Sequence, residues 1–446
     1  MRFFMRNSPT VVAALALPLL LAGCIGQTFD SIGSVNPFRG KEDVLAGDRI
    51  SINQTAVEEQ AAGSPAIGTA VALNEWSQPG GNAYNAPGHV SLVGGSGSPA
   101  WRARGVAESG RRAVRSAAPP LVVGGRVFVY AADGTVTALS AGGGKQWSVS
   151  LKPEKENSAA AGGGIAISGN SIIAATGYGD IIALDAANGG RLWTYEMDAS
   201  ARSAPTAAGG RVYVVSVTNV LHAINVEDGS EAWIAPGVAE TAGVLSAASP
   251  AVSGNTVVVP FSSGEIAAFN ATDGELKWVD AVVRSSRTLA VAGLTDVAAS
   301  PVIVDGVVYA TGVAGRTIAV SLSKGERLWE QNIGSAYTPI ISGNAIFIVD
   351  LEDNVIALER KTGKTFWRAA LPSVRKKKFF SVWAGPALAG GALWVVSNDG
   401  KIASLDPGTG NLLSNKPLGA KAYSKPIAAG GQLYVVAGDG SLIALR

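Results

Sequence analysis

Cysteine and histidine are almost absent from this 446-residue chain, which holds one cysteine, Cys24, and two histidines, His89 and His222. A single thiol excludes an intramolecular disulfide framework, and so few Cys and His leave no ligand cluster with metal-site spacing. Charge is scarce as well. Asp, Glu, Lys and Arg make up 16% of the residues, against about 25% in an average soluble domain, which argues for a well-buried core and few solvated helices. The formal net charge is +2, and Arg2 and Arg6 supply it within a segment read below as removable. The remainder is near neutral and carries no nucleic-acid footprint. There is no P-loop and no G-x-S-x-G elbow. The apolar run Val11 to Leu21 is too short to cross a bilayer as an ordinary helix.

Glycine is abundant, with 56 residues and no collagen period, which predicts many tight turns. From about residue 95 onward one pattern returns eight times. A two-residue turn marks each copy: Gly124-Gly125, Gly169-Asn170, Gly209-Gly210, Gly254-Asn255, Asp305-Gly306, Gly343-Asn344, Gly390-Gly391 and Gly430-Gly431. Such pairs accept the positive φ of a two-residue hairpin. β-branched, alternating runs such as Arg211-Val212-Tyr213-Val214-Val215 flank them. A second turn follows each run, for example Asp133-Gly134 or Asp399-Gly400. Proline opens seven copies (Pro120, Pro205, Pro250, Pro301, Pro339, Pro386, Pro426), and Ile165 takes its place in the second. Proline is tolerated as the first residue of a strand. Last comes an Ala-Leu-Asp-like triplet with Gly four residues and Trp eight residues after the Asp, complete at Asp185, Gly189 and Trp193. The first copy is one residue shorter there, and the seventh has Ser414 in the tryptophan place. Each copy therefore supplies four strands.

A four-stranded unit cannot bury both of its faces alone, so copies must stack. The termini decide between a ring and an open array. The eighth copy stops at Ala444-Leu445-Arg446 with no Trp strand, while Gly97 and Trp101 stand at the other end with that spacing and nothing before them to complete. The strand around Trp101 therefore closes the last copy. The reading is an all-β, eight-bladed propeller of four-stranded antiparallel blades, closed by an N-terminal strand. Trp101, Trp147, Trp193, Trp233, Trp278, Trp329 and Trp367 are then structural, filling gaps between blades with their N–H on backbone carbonyls.

The A-x-D-x-x-T/N-G-x-x-x-W signature resembles the quinoprotein (PQQ-type) propeller repeat and lacks the Gly-His and Trp-Asp marks of WD40 blades. At the start, Leu21-Ala22-Gly23-Cys24 resembles the lipobox of bacterial lipoproteins, whose cysteine is lipidated and becomes the first mature residue. Residues 1–23 are then a signal peptide, 24–71 a lipidated N-terminus and flexible tether, and 72–446 the propeller with its closing segment. Ile25 rather than aspartate follows Cys24, which the resemblance links to the outer membrane, with the protein on its periplasmic face. Two groups of quinoprotein-type propellers compete. Trp76-Ser77-Gln78-Pro79-Gly80-Gly81 resembles the W-x-x-x-G-G motif of PQQ-dependent dehydrogenases, but their adjacent-cysteine pair has no counterpart.

The whole arrangement resembles the BamB-type lipoproteins of the outer-membrane β-barrel assembly machinery. That resemblance implies a non-enzymatic scaffold without cofactor or metal. Its expected partners are POTRA domains of the central barrel protein, other machinery components and nascent outer-membrane proteins. The membrane is reached through the lipid at Cys24, and no nucleic acid is bound. The alternatives are a PQQ-dependent periplasmic dehydrogenase and an envelope lipoprotein with another partner. The resemblance places partner contacts on two loops, one at Val244 and Leu245, the other at Leu294, Asp296 and Val297. Asp296 matches the first of two expected aspartates, Ala298 replaces the second, and the arginine expected in the first loop is missing. One further feature is Arg375-Lys376-Lys377-Lys378. It reads either as a solvated loop, with Phe379 and Phe380 beginning the next blade, or as a contact for anionic headgroups or an acidic partner.

Overall fold

The computed structural model describes residues 59–106, 118–156, 158–160, 162–237, 248–282, 299–313, 315–376 and 379–446. They form eight four-stranded antiparallel sheets and one two-stranded hairpin. Blade 1 shows the plan with Leu121–Val123, Arg126–Tyr130, Thr135–Ser140 and Lys145–Ser150. The first three strands are apolar on both faces because each is sandwiched between neighbouring blades. The outer strand alternates, with Trp147 turned inward and Lys145, Ser148 and Ser150 outward. The last sheet runs Pro99–Ala103, Leu442–Leu445, Gln432–Val436, Ile427–Ala429. Trp101 opposite Ala444 thus closes the ring as the sequence predicts.

The joint between blades is one repeated contact. Gly143, Gly189, Gly229, Gly274, Gly325, Gly363 and Gly410 each lie against the indole of the preceding blade, respectively Trp101, Trp147, Trp193, Trp233, Trp278, Trp329 and Trp367. A Cβ on any of these glycines would stand 2.5–2.8 Å from the ring, and all have φ between 72° and 85°. Only glycine accepts both the backbone and the approach. Six of the indoles also donate Nε1–H to a carbonyl of the next blade at 2.8–3.3 Å, as Trp193 does to Val226. Trp101 departs from the expectation: its Nε1 is buried without an acceptor. The turn it meets is the one-residue-shorter turn of blade 1.

Blade 7 solves its missing tryptophan from within. Its strands are Trp383–Ala389, Ala392–Ser397, Lys401–Leu405 and Leu412–Pro417. Ser414 occupies the outer place and hydrogen-bonds Ser404. Trp394, on the second strand, takes over the joint, with its indole 2.6 Å from where a Cβ on Gly97 would stand. Two expectations need correction in this blade. Pro386 lies inside the first strand, at a register shift between Ala384 and Ala387, not at its start. A bulge on an edge strand is where a missing N–H costs least. Phe379 and Phe380 do not begin the blade either; they pair with Lys376 and Arg375 in a separate hairpin.

Because strands alternate in direction, the turns after the first and third strands lie on one face of the ring. The turns after the second strand and the connections between blades lie on the other. Residues 59–93 cross the first of these faces. Trp76 pairs with Val122 of blade 1, and the carbonyls of Ser77, Ala83, Tyr84 and Leu73 accept the N–H groups of Ile167, Val252, Ile303 and Gly430. Gln78 bridges Ile167 and Ala207, and Val90 binds Leu388 and Gly390. Gly68 meets Ser342 of blade 6. This segment therefore touches every innermost strand and satisfies edge groups that would otherwise face the axis unpaired. Among the described residues, Glu59 and Ala61 already pair with Thr365, within the stretch read as tether.

The joint can be tested by two alanine substitutions. Gly229→Ala places a methyl against Trp193 and should cost about 2–4 kcal/mol, strain and overpacking together. Gly254→Ala has the same sign of φ but open space around it, and should cost about 1–2 kcal/mol. Urea unfolding midpoints measure both; equal losses would mean that the indole contact contributes nothing.

Candidate partner-binding surface

The two loops singled out by resemblance fall in the connections from blade 3 to blade 4 and from blade 4 to blade 5, whose stems are adjacent on the face opposite the crossing segment. Val244, Leu245, Leu294, Asp296 and Val297 lie outside the described residues, as does Cys24; the loop stems are described. The first loop leaves the outer strand Glu231–Pro236 at Gly237. Gly237 donates to the carbonyl of Asn219 at 2.7 Å, and a Cβ there would stand 2.6 Å from the Phe261 ring. The chain returns through Ala248 and Ser249, both buried. The second loop leaves after Leu276–Ala281 at Val282, which is fully buried and donates to Gly264. It returns at Ala299 and Ser300, again buried.

Two devices fix these stems. Arg327 of blade 5 binds both carboxylate oxygens of Asp280 and also reaches Glu330 and the carbonyl of Ala281. The hydrogen bond to Asp280 holds the guanidinium above its ordinary value despite partial burial, with Glu330 adding to it. On the return side, the Ser249 N–H donates to Ser300 Oγ at 2.9 Å, and the Ser300 N–H donates to Thr338 Oγ1 at 3.1 Å. The first strands of blades 4, 5 and 6 are stitched in series, so the structure brings the two loop stems together. The sequence reading missed both devices. A hydroxyl residue before proline in three successive copies (Ser249, Ser300, Thr338) was the available signal for the second. The Arg327–Asp280 pair had none, since its partners are 47 residues apart.

Both histidines are tied down. His89 Nδ1 lies 2.8 Å from the Gly68 carbonyl and must donate to it. Its Nε2 accepts the Gly391 N–H at 2.9 Å, so the ring clips the crossing segment to blade 7. His222, 3% exposed, sits with Nε2 2.8 Å from Asp198 and Nδ1 3.3 Å from the Tyr195 hydroxyl, which itself donates to Glu231. Burial pulls the Asp198 carboxyl up, but hydrogen bonds from Thr218 and His222 outweigh it and hold it low. Burial first, then Glu231, pushes the Tyr195 phenol well above its usual value, which suits a clasp between blades 2 and 3 better than a base or nucleophile.

The residue before the opening proline of blade 8 is Lys425. It is partly buried. The surrounding protein governs its charge: desolvation pushes the ammonium down to about 8. It borders an axial slot of about 10 Å³ lined by Trp76, Pro87, Val90, Pro386 and Leu388. That volume suits one water molecule. Among the described residues no group of three His, Cys, Asp or Glu side chains could hold a metal ion.

The comparisons with known proteins agree on the fold family. The family model described as "Outer membrane protein assembly factor BamB" matches residues 83–155, 132–369 and 353–446. A protein of that name from Yersinia pestis is 28% identical over 289 residues, 62% of this chain and 73% of its own length. The counterpart from Moranella endobia is 26% identical over 56% of this chain and 66% of its own length. Quinoprotein alcohol dehydrogenase PedH of Pseudomonas putida is 32% identical, but over only 27% of this chain and 22% of its own. The crystal structure of BamB from Moraxella catarrhalis superposes with a TM-score of 0.65 at 19% identity, covering 78% of this chain and 99% of that one.

Lys425 gives a test of the electrostatics. The folded lysine titrates near 8 and the unfolded one near 10.5. Between those values the unfolded chain binds more protons, so this lysine's penalty on stability is full below pH 8 and fades as pH rises. Lys425→Met should therefore be more stable than the parent at neutral pH, with a difference that shrinks as pH approaches the ordinary lysine value. Denaturant midpoints across that range decide it; a pH-independent difference would contradict the burial of the charge.

Proposed function

The chain belongs to the outer membrane protein assembly factor BamB family, and from that premise we propose that it is a non-catalytic scaffold of the outer-membrane β-barrel assembly machinery. The observation that carries the proposal is the pair of neighbouring buried stems, at Gly237 and Ala248 and at Val282 and Ala299, which Ser249, Ser300 and Arg327 lock to the ring. A rigid ring displaying two adjacent loops suits recognition of a folded partner with little ordering cost. In this reading Val244, Leu245, Leu294, Asp296 and Val297 meet the periplasmic POTRA domains of the central barrel protein. The scaffold thereby aids insertion of nascent outer-membrane proteins, whose extended strands meet outer blade edges.

The membrane part of the proposal concerns residues 1–71. Residues 1–23 act as the export signal, Cys24 takes the lipid, and the following chain tethers the ring to the periplasmic face of the outer membrane. No catalytic residue or cofactor is assigned. The tightly clasped histidines support that assignment against the dehydrogenase alternative.

Photocrosslinking in intact envelopes tests the reading. A photoreactive residue at Leu245 or Asp296 should capture a POTRA-containing barrel protein, and one at Tyr84, on the opposite face, should not. Absence of that protein from both loop positions would sink the scaffold assignment while leaving the fold untouched.

A further inference from the structure

The crossing segment caps the axis unevenly. In blades 1 to 5 the penultimate residue of the first strand turns its N–H toward the axis, and the segment supplies an acceptor. Val122, Ile167, Val252 and Ile303 donate to the carbonyls of Trp76, Ser77, Ala83 and Tyr84 at 2.7–3.0 Å, and Ala207 donates to Gln78 Oε1 at 2.9 Å. The equivalent residues of blades 7 and 8 are Leu388 and Ala428, each one before the residue that closes the strand's turn. The same register puts their N–H groups on the same inner edge. Neither meets an acceptor among the described residues. At blade 7 the segment donates instead, through the Val90 N–H to the Leu388 carbonyl at 3.1 Å. Ile341 holds the equivalent place in blade 6 but lines the wider cavity beside Tyr84.

Each first strand runs from the connection face to the turn face, so these two N–H groups lie on the connection side of their own carbonyls. Lys425 stands on that side, just before Pro426. No carboxylate among the described residues offsets its charge, and burial alone pulls its ammonium down. Lys425, Leu388 and Ala428 line the same axial slot of about 10 Å³. Its other walls are proline, glycine and aliphatic residues and the Trp76 ring, whose single N–H is spent on the Pro79 carbonyl. The slot thus gathers three donors, one of them a cation, and no acidic side chain.

We propose that Lys425 and the N–H groups of Leu388 and Ala428 hold a single halide ion, chloride under ordinary conditions, on the axis of the ring. Room for about one water is the size class of a monatomic anion, not of phosphate, sulfate or a carboxylate. A water offers two lone pairs to three donors and no charge to an ammonium. A halide accepts from all three and neutralises the lysine where desolvation makes an unpaired charge most unfavourable. Main-chain N–H groups beside a cation form an anion cradle of a recurring kind. The ion does for blades 7 and 8 what acceptors of the crossing segment do for blades 1 to 5. The inference goes beyond the scaffold reading and depends on no part of it.

The test uses the chain from residue 24 onward, which holds every strand of the ring, with Cys24→Ser so that no lipid is attached. Crystals grown in bromide should show an anomalous peak in the slot, at hydrogen-bond distance from Lys425 Nζ and from the Leu388 and Ala428 nitrogens. In solution at neutral pH and constant ionic strength, chloride replacing methanesulfonate should raise the melting temperature, by an equal step for each tenfold once the site is saturated. Lys425→Met should lose both the peak and the chloride dependence, so its advantage over the parent is largest without chloride. Parent crystals with no peak, or a peak that persists in Lys425→Met, would overturn the proposal. So would a parent melting temperature that ignores chloride; a peak would then mark an adventitious ion only. The two parent measurements need no variant, so they decide the matter even if Lys425→Met does not fold. Capture of the barrel protein from Leu245 reads the scaffold assignment separately, so the two can fail independently.

Discussion

The contact of an indole with a glycine of the next blade is the constraint on which this ring depends. A four-stranded blade has two apolar faces and no means of covering them alone. Each joint joins one blade's outer strand to the next blade's third turn, and the glycine lets the two backbones approach until the indole fills the gap. Seven joints use the outer-strand tryptophan. The eighth uses Trp394 from inside blade 7 and Gly97 from the closing segment, so closure is made by the same pair of residue types in a different arrangement. An open array would leave two blade faces exposed; here the strand Pro99–Ala103 leaves none.

Closure creates a second problem on the axis. Eight innermost strands turn their free edges toward one another, and unpaired backbone groups in a narrow space are costly. Residues 59–93 answer it by crossing the turn face and bonding each blade in passing. Asn85 alone donates toward the carbonyls of Ser249, Pro250 and Pro301. With one face tied by this segment, the opposite face is left to the blade connections. Their stems inherit the rigidity of the ring: Ser249 and Ser300 are held by each other's blades, and Asp280 by Arg327. Variation in such loops can alter what is bound without disturbing the joints.

The repeat, its four-strand content and the closure through Trp101 were legible in the sequence because each copy must meet the same neighbours and so repeats the same residues. What happens once was not legible. Trp394 carries no periodic mark, and Ser414 in the tryptophan place gave no sign of where the joint had moved. The crossing segment is irregular because it meets eight slightly different strand edges in turn. The hairpin at Arg375 reads in sequence like an ordinary loop, and a bulge hides Pro386 in mid-strand. The candidate loops were placed by family resemblance, and the devices that hold their stems are long-range pairs that no local pattern announces.

The central claim is that this ring is a scaffold whose two neighbouring loops hold a folded periplasmic partner. The most direct measurement is amide hydrogen exchange of the chain alone and mixed with isolated POTRA domains. The account predicts new protection confined to residues 238–247 and 283–298 and their stems, with the blades and the crossing segment unchanged. Protection on the turn face around Tyr84, or none anywhere at saturating partner, would contradict it.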